Sequence, residues 1–185
     1  MNDEYIAKMD KELFDQYGKY FGQDLPDDLP ERDGFGFSIG AGWYPIIGAL
    51  LEAMAMPVKR AQRDLSYAEQ AFEKGQTKVT WNDDYSEKTE APWRQEDVDA
   101  ARNKLSAIQD SLPQIQQVKE KFGTLRFYAS GSDNVTNALV SMAESLSTIT
   151  CEQCGNRGTL RHGRWLRVLC NQHAEAMGYF EKNEE

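Results

Sequence analysis

Cysteine and histidine are scarce in this chain: three and two among 185 residues. Three cysteines cannot all pair with one another, so thiolates holding a metal are expected rather than disulfides, with a redox pair as the alternative. So few histidines leave little material for nucleophilic catalysis. No catalytic triad, P-loop or dinucleotide-binding glycine motif is present, which points to a non-enzymatic protein. The start, "MNDEYIAKMDKELF", lacks the apolar core of an export signal, and cytoplasmic thiols stay reduced. The longest apolar stretch, "IIGALLEAMAM", is about half a membrane span and carries Glu52, so no membrane association is expected. Basic residues are also few, 21 against 30 acidic ones, for a net charge of −9. Phosphate is repelled by such a chain, which disfavours nucleic acid as a partner.

The scarce residues are not scattered. All three cysteines and His173 fall within "CEQCGNRGTLRHGRWLRVLCNQH", spaced Cys151-x2-Cys154-x15-Cys170-x2-His173. A Cys-x2-Cys knuckle converges two thiolates from one turn, and Gly155 follows it. Cys170 and His173, three apart, share a face at the start of a short helix. Between the pairs, "TLRHGRWLRVL" reads as a β-hairpin turning at His162-Gly163, with His162 exposed. Knuckle, hairpin and helix-borne ligands make a treble-clef-like module. Four nitrogen and sulfur donors predict one structural Zn2+ per chain, with no open position for substrate. Such a site replaces a hydrophobic core for a segment too small to own one, and is expected to staple only that segment. Charge is uneven as well. Residues 1–34 hold ten acidic and four basic residues, whereas the window sets Arg157, Arg161, Arg164 and Arg167 against Glu152. Those arginines, with Trp165, leave a zinc-ribbon nucleic-acid binder open as an alternative.

Periodicity supplies the rest. Tyr5, Met9, Leu13 and Tyr17 predict a helix over 2–20, followed by an acidic loop, "GQDLPDDLPERDG". Phe35, Phe37 and Ile39 alternate as a short strand. Pro45 suits the first turn of a core helix that buries Trp43, Ile46, Ile47, Leu50, Leu51 and Met54. After Pro57 the stripes narrow: Val58, Ala61, Leu65, Ala68 and Phe72, then Val98, Ala101, Leu105, Ile108 and Leu112. They predict an antiparallel helical hairpin with a long tip that can include a short β-hairpin. "PQIQQVKEKFGTLRFYASG" reads as two strands turning near Phe122-Gly123, with a helix ending around Lys121 as the rival. Asp133 is a candidate cap for a helix that buries Val135, Leu139, Met142 and Leu146.

Two further surfaces are candidates. Trp43 and Tyr44 at a helix start, with Lys119, Lys121, Arg126 and Tyr128, can line a site for a nucleotide-like anion if they are neighbours. The bland reading makes the aromatics core and the charges solvated flanks. Trp81, Tyr85 and Trp93 sit among the acids of the hairpin tip and are candidates for binding a partner protein, or another copy of this chain. The alternative is that these rings fold back and close the hairpin.

"GWYPIIGALLE", "QVKEKFGTLRFY" and "AESLSTITCEQCGNRGTLRHGRWLRVLCNQHAE" together resemble a family of small, uncharacterised phage and prophage proteins, over about half the chain. The resemblance implies a cytoplasmic protein that binds a host factor, such as a defence or regulatory protein that it inhibits or modulates. The expected architecture is α+β: a mixed domain from 1–59 and 113–150, an inserted helical hairpin at 60–112, and a zinc module at 151–185.

Overall fold

The computed structural model describes residues 3–21 and 37–179. The expected acidic loop and Phe35 lie outside these residues. The chain is a mixture of helix and sheet, and it divides into two compact units, Met1–Met54 with Pro113–Glu185, and Ala55–Leu112. The segment expected as a separate module at 151–185 belongs to the first unit.

In the first unit, helix α1 (Asp3–Tyr17) runs into a 3-10 turn at Gly18–Tyr20. Leu13, Phe14, Tyr17 and Tyr20 are buried, while Tyr5 at the start of the expected stripe is exposed. Strand β1 is short (Phe37–Ser38), and a 3-10 turn at Ala41–Trp43 leads into α2 (Tyr44–Glu73). The phenols of Tyr17 and Tyr44 donate to Glu52 (2.7 Å) and Asp10 (2.5 Å), locking α1 to the first half of α2. Helix α2 does not break at Pro57. It continues for 30 residues with the proline inside, and ends in the second unit. The apolar run is therefore part of a longer helix than its sequence suggests. An 18-residue window within Ala41–Glu73 has mean hydropathy 1.2, enough to cross a membrane by length and composition, yet 56 % of it is buried inside the protein, as in a core helix.

The second unit holds the rest of α2, strands β2 (Thr77–Trp81) and β3 (Lys88–Pro92), and α3 (Gln95–Asp110). Val58, Ala61, Ala68 and Val98 are buried, and Ala71 takes the place expected for Phe72, which is exposed. Arg102–Glu69 (3.1 Å) and Lys104–Asp64 (3.5 Å) link the helices, higher numbers on one meeting lower numbers on the other. β2 and β3 form an antiparallel ribbon from Thr77↔Pro92 to Trp81↔Lys88.

Back in the first unit, β4 (Gln114–Lys121) and β5 (Thr124–Ser130) are the strand pair expected from the sequence, not the rival helix, and β1 joins β4 in parallel. The sheet order β1-β4-β5 leaves β5 at an edge. Helix α4 (Asn134–Ser147) follows, with Asp133 capping it through the Thr136 amide (2.7 Å).

The buried face of α4 is not the expected one. Val135 and Met142 are 66 % and 57 % exposed and Leu146 is also exposed, whereas Thr136, Ala143 and Ser147 are buried. The cause is the edge of β5. Its outward amides at Leu125 and Phe127 donate to Ser147 Oγ (2.9 Å) and Glu144 Oε1 (3.0 Å). A buried edge amide needs an acceptor, and the small and polar face of α4 supplies two. Ser147→Ala should therefore cost about 1–3 kcal/mol by orphaning the Leu125 amide. Met142→Ser, on the apolar stripe, should stay within about 0.5 kcal/mol. Chemical denaturation of both variants checks the assignment; the reverse ranking would restore the periodic reading.

Candidate metal centre

After α4 the chain enters the knuckle. The Gly155 amide returns to the Cys151 carbonyl (2.9 Å), and Gly155 has a φ of +77°, the left-handed region glycine adopts freely. Strands β6 (Thr159–Arg161) and β7 (Arg167–Leu169) pair antiparallel, joined by a connection over 162–166 that is longer than the expected tight turn; His162 is exposed. Cys170 precedes α5 (Asn171–Ala176), and His173 sits on its first turn.

These elements bring the four expected donors together. Their ligand atoms all lie within 4.8 Å of one another, and Cys151 is fully buried. Cys154 Sγ and Cys170 Sγ are 3.8 Å apart, and His173 Nδ1 is 3.2 Å from Cys170 Sγ and 3.7 Å from Cys151 Sγ. A tetrahedral ion with metal–sulfur bonds of about 2.3 Å has sulfur–sulfur edges of about 3.8 Å. The cluster thus has the size of a metal site, and all three cysteines are free of disulfides. The backbone amide of His173 holds the Cys170 thiol down at about 6, while burial pushes Cys154 up to about 11. One donor is thus disposed to be a thiolate, and the other would release its proton to solvent on binding a metal.

Sequence periodicity missed the partner of this knuckle, the segment Gly40-Ala41-Gly42-Trp43. The Gly42 amide donates to the Glu152 carbonyl (2.8 Å), and the Trp43 indole to the Thr150 carbonyl (2.8 Å). A Cβ on Gly42 would lie 2.2 Å from the Cys151 carbonyl oxygen and 2.3 Å from the Gly155 nitrogen. One on Gly40 would lie 2.2 Å from the Glu152 carbonyl oxygen. The two glycines ahead of a tryptophan were the available signal: backbone meets backbone there, with no room for side chains. Glu152 is buried behind the knuckle and bonded to Arg167 (2.8 Å); burial raises its carboxyl against the pull of that arginine.

The expected anion surface does not form as one. Trp43 and Tyr44 are fully buried, with their polar atoms bonded inside the protein. Lys119 and Arg126 are opposite each other on β4 and β5, and Lys119 and Lys121 stand over the rings of Tyr128 (5.4 Å) and Phe122 (5.4 Å). At the ribbon, Trp81 and Tyr85 are exposed, but Trp93 packs edge-on against Tyr67 (5.7 Å). No known family model, curated protein or solved structure matches the chain.

Because Gly42 abuts the knuckle without being a ligand, Gly42→Ala should act on the metal site from a distance in sequence. Overpacking of this kind costs about 1–3 kcal/mol. The variant should lower both thermal stability and metal retention under a chelator, in the same direction as Cys154→Ser. Metal retention equal to that of the unaltered chain would show that the knuckle folds independently of Gly42.

Proposed function

We propose that the cluster holds one structural zinc ion and that the chain is a non-enzymatic binding protein. It would engage a protein partner through the outward face of the β2–β3 ribbon. Three thiols and one imidazole suit zinc, and four protein donors leave no coordination site for substrate. The observation that carries the binding role is the ribbon. Val79 and Trp81 alternate onto one face and are exposed, as is Tyr85 at the tip. The opposite face carries Lys78, which bonds Asp97 and stands 5.6 Å over the Trp93 ring. One face of the ribbon thus serves its own unit and the other is available. Acids at the tip, among them Asp83 and Glu87, would favour a basic partner. The resemblance to phage and prophage proteins makes a cytoplasmic host factor the partner to seek.

Metal analysis of protein purified without added zinc should find about one equivalent per chain. The double variant Trp81→Ser/Tyr85→Ser should keep that zinc and its stability within about 0.5 kcal/mol. Pull-down from host cells should lose the partner that the unaltered chain retains, with Kd weakened about thirtyfold or more, as for loss of an interface anchor. A variant that captures the same partner with unchanged affinity would remove the ribbon from the interface.

A further inference from the structure

We propose that the β4–β5 turn and the β6–β7 connection together form a small stacking site for single-stranded nucleic acid, distinct from the ribbon of the second unit. The first observation is Phe122. It has a φ of +55° and is followed by Gly123 at +78°, the two-residue turn in which asparagine or glycine is the ordinary choice. A bulky residue is disfavoured there, and Phe122 gains little burial in return, being 68 % exposed. Neither stability nor solubility explains a phenylalanine at this position. Backbone strain kept at an exposed aromatic marks a candidate site of function.

The second observation is the neighbour of that turn. A Cβ on Gly123 would lie 2.7 Å from Leu160 Cδ1 and 3.1 Å from the Arg167 nitrogen, so the turn sits against the β6–β7 hairpin. The connection of that hairpin carries Trp165, whose ring is 69 % exposed. Its backbone is fixed, since the Tyr179 phenol donates to the Trp165 carbonyl (2.9 Å). Two exposed aromatic rings are thus held on adjoining turns. Each has a cation beside it in sequence, Lys121 next to Phe122 and Arg164 next to Trp165, and the Lys121 ammonium is 5.4 Å from the Phe122 ring centre.

The third observation is charge. Residues 113–179 carry seven basic and five acidic side chains. Four of those acids are drawn into internal bonds: Glu120 to the Gly123 amide, Asp133 to Thr136, Glu144 to Phe127 and Glu152 to Arg167. The segment is formally +2, seven basic less five acidic, although the chain is at −9. Unpaired bases offer π-faces to such rings and phosphates to such cations, whereas a duplex hides its base faces. The overall acidity limits contact to a few nucleotides and keeps longer polyanions away.

Fluorescence anisotropy with labelled oligo-dT and oligo-U, using the full zinc-loaded chain, tests the proposal, and the relative affinities distinguish DNA from RNA. Saturable binding is expected, with a log–log salt slope of about −1.4 for two cations. Phe122→Asn and Trp165→Ala should each weaken it about fivefold or more, the loss of one stacked base. Phe122→Asn should leave Tm unchanged or raised, since asparagine tolerates the positive φ, so lost binding would not reflect lost fold. Absence of saturable binding to either oligonucleotide would overturn the proposal. So would equal or tighter binding to duplex, or affinity unaffected by both variants.

Discussion

Everything in the first unit hangs on a backbone-to-backbone contact between the Cys151–Gly155 knuckle and the Gly40–Trp43 turn. The two segments meet with the Gly42 amide on the Glu152 carbonyl and the Trp43 indole on the Thr150 carbonyl, a bond spanning 107 residues of sequence. Trp43 opens the core helix that packs α1, and the knuckle follows the helix that seals the sheet edge. Closing so long a loop carries an entropy cost that grows only slowly with length, but the knuckle must hold its shape to offset it. Backbone bonds from Gly155 to Cys151 and from Cys151 to Asn156 close the knuckle, and the Cys151 side chain lies beside those of Cys154, Cys170 and His173. A metal bound there would stabilise whatever depends on the knuckle, and the Gly40–Trp43 turn is bonded to it. This contact gives the ligands a route beyond their own segment, whereas the sequence suggested that they staple that segment alone.

Legibility in the sequence followed locality. The four donors were readable because side-chain chemistry and spacing along one short window bring them into one cluster. The Asp133 cap and the Phe122-Gly123 turn were readable for the same reason. The orientation of α4 was not. Its periodic stripe of Val135, Met142 and Leu146 met the usual rule for a buried face, but the rule omits unpaired amides on a distant strand. Trp43 and Tyr44 illustrate a choice that local sequence left open. Aromatics beside a helix start allowed either a ligand surface or core, and both are core with satisfied polar atoms.

Charge is sorted by region more sharply than the net value of −9 conveys. Three acids of the first unit after residue 113 serve a cap, a sheet edge and an arginine pair: Asp133, Glu144 and Glu152. The ribbon of the second unit carries its aromatics among carboxylates. Both units are net acidic, and within the first the acids concentrate in residues 1–34 while the segment 113–179 carries seven basic against five acidic side chains. In the proposed reading the two surfaces select different chemistry, a basic protein surface at the ribbon and unpaired bases at the turns beside the metal cluster.

Amide hydrogen exchange at Gly42, followed with metal bound and after chelation, tests the dependence of the unit on the knuckle most directly. The Gly42 amide donates to the knuckle, so its protection should fall together with that of Gly155 when the metal is withdrawn. Undiminished protection at Gly42, while Cys151–Gly155 exchanges freely, would contradict the account and leave the metal a local staple.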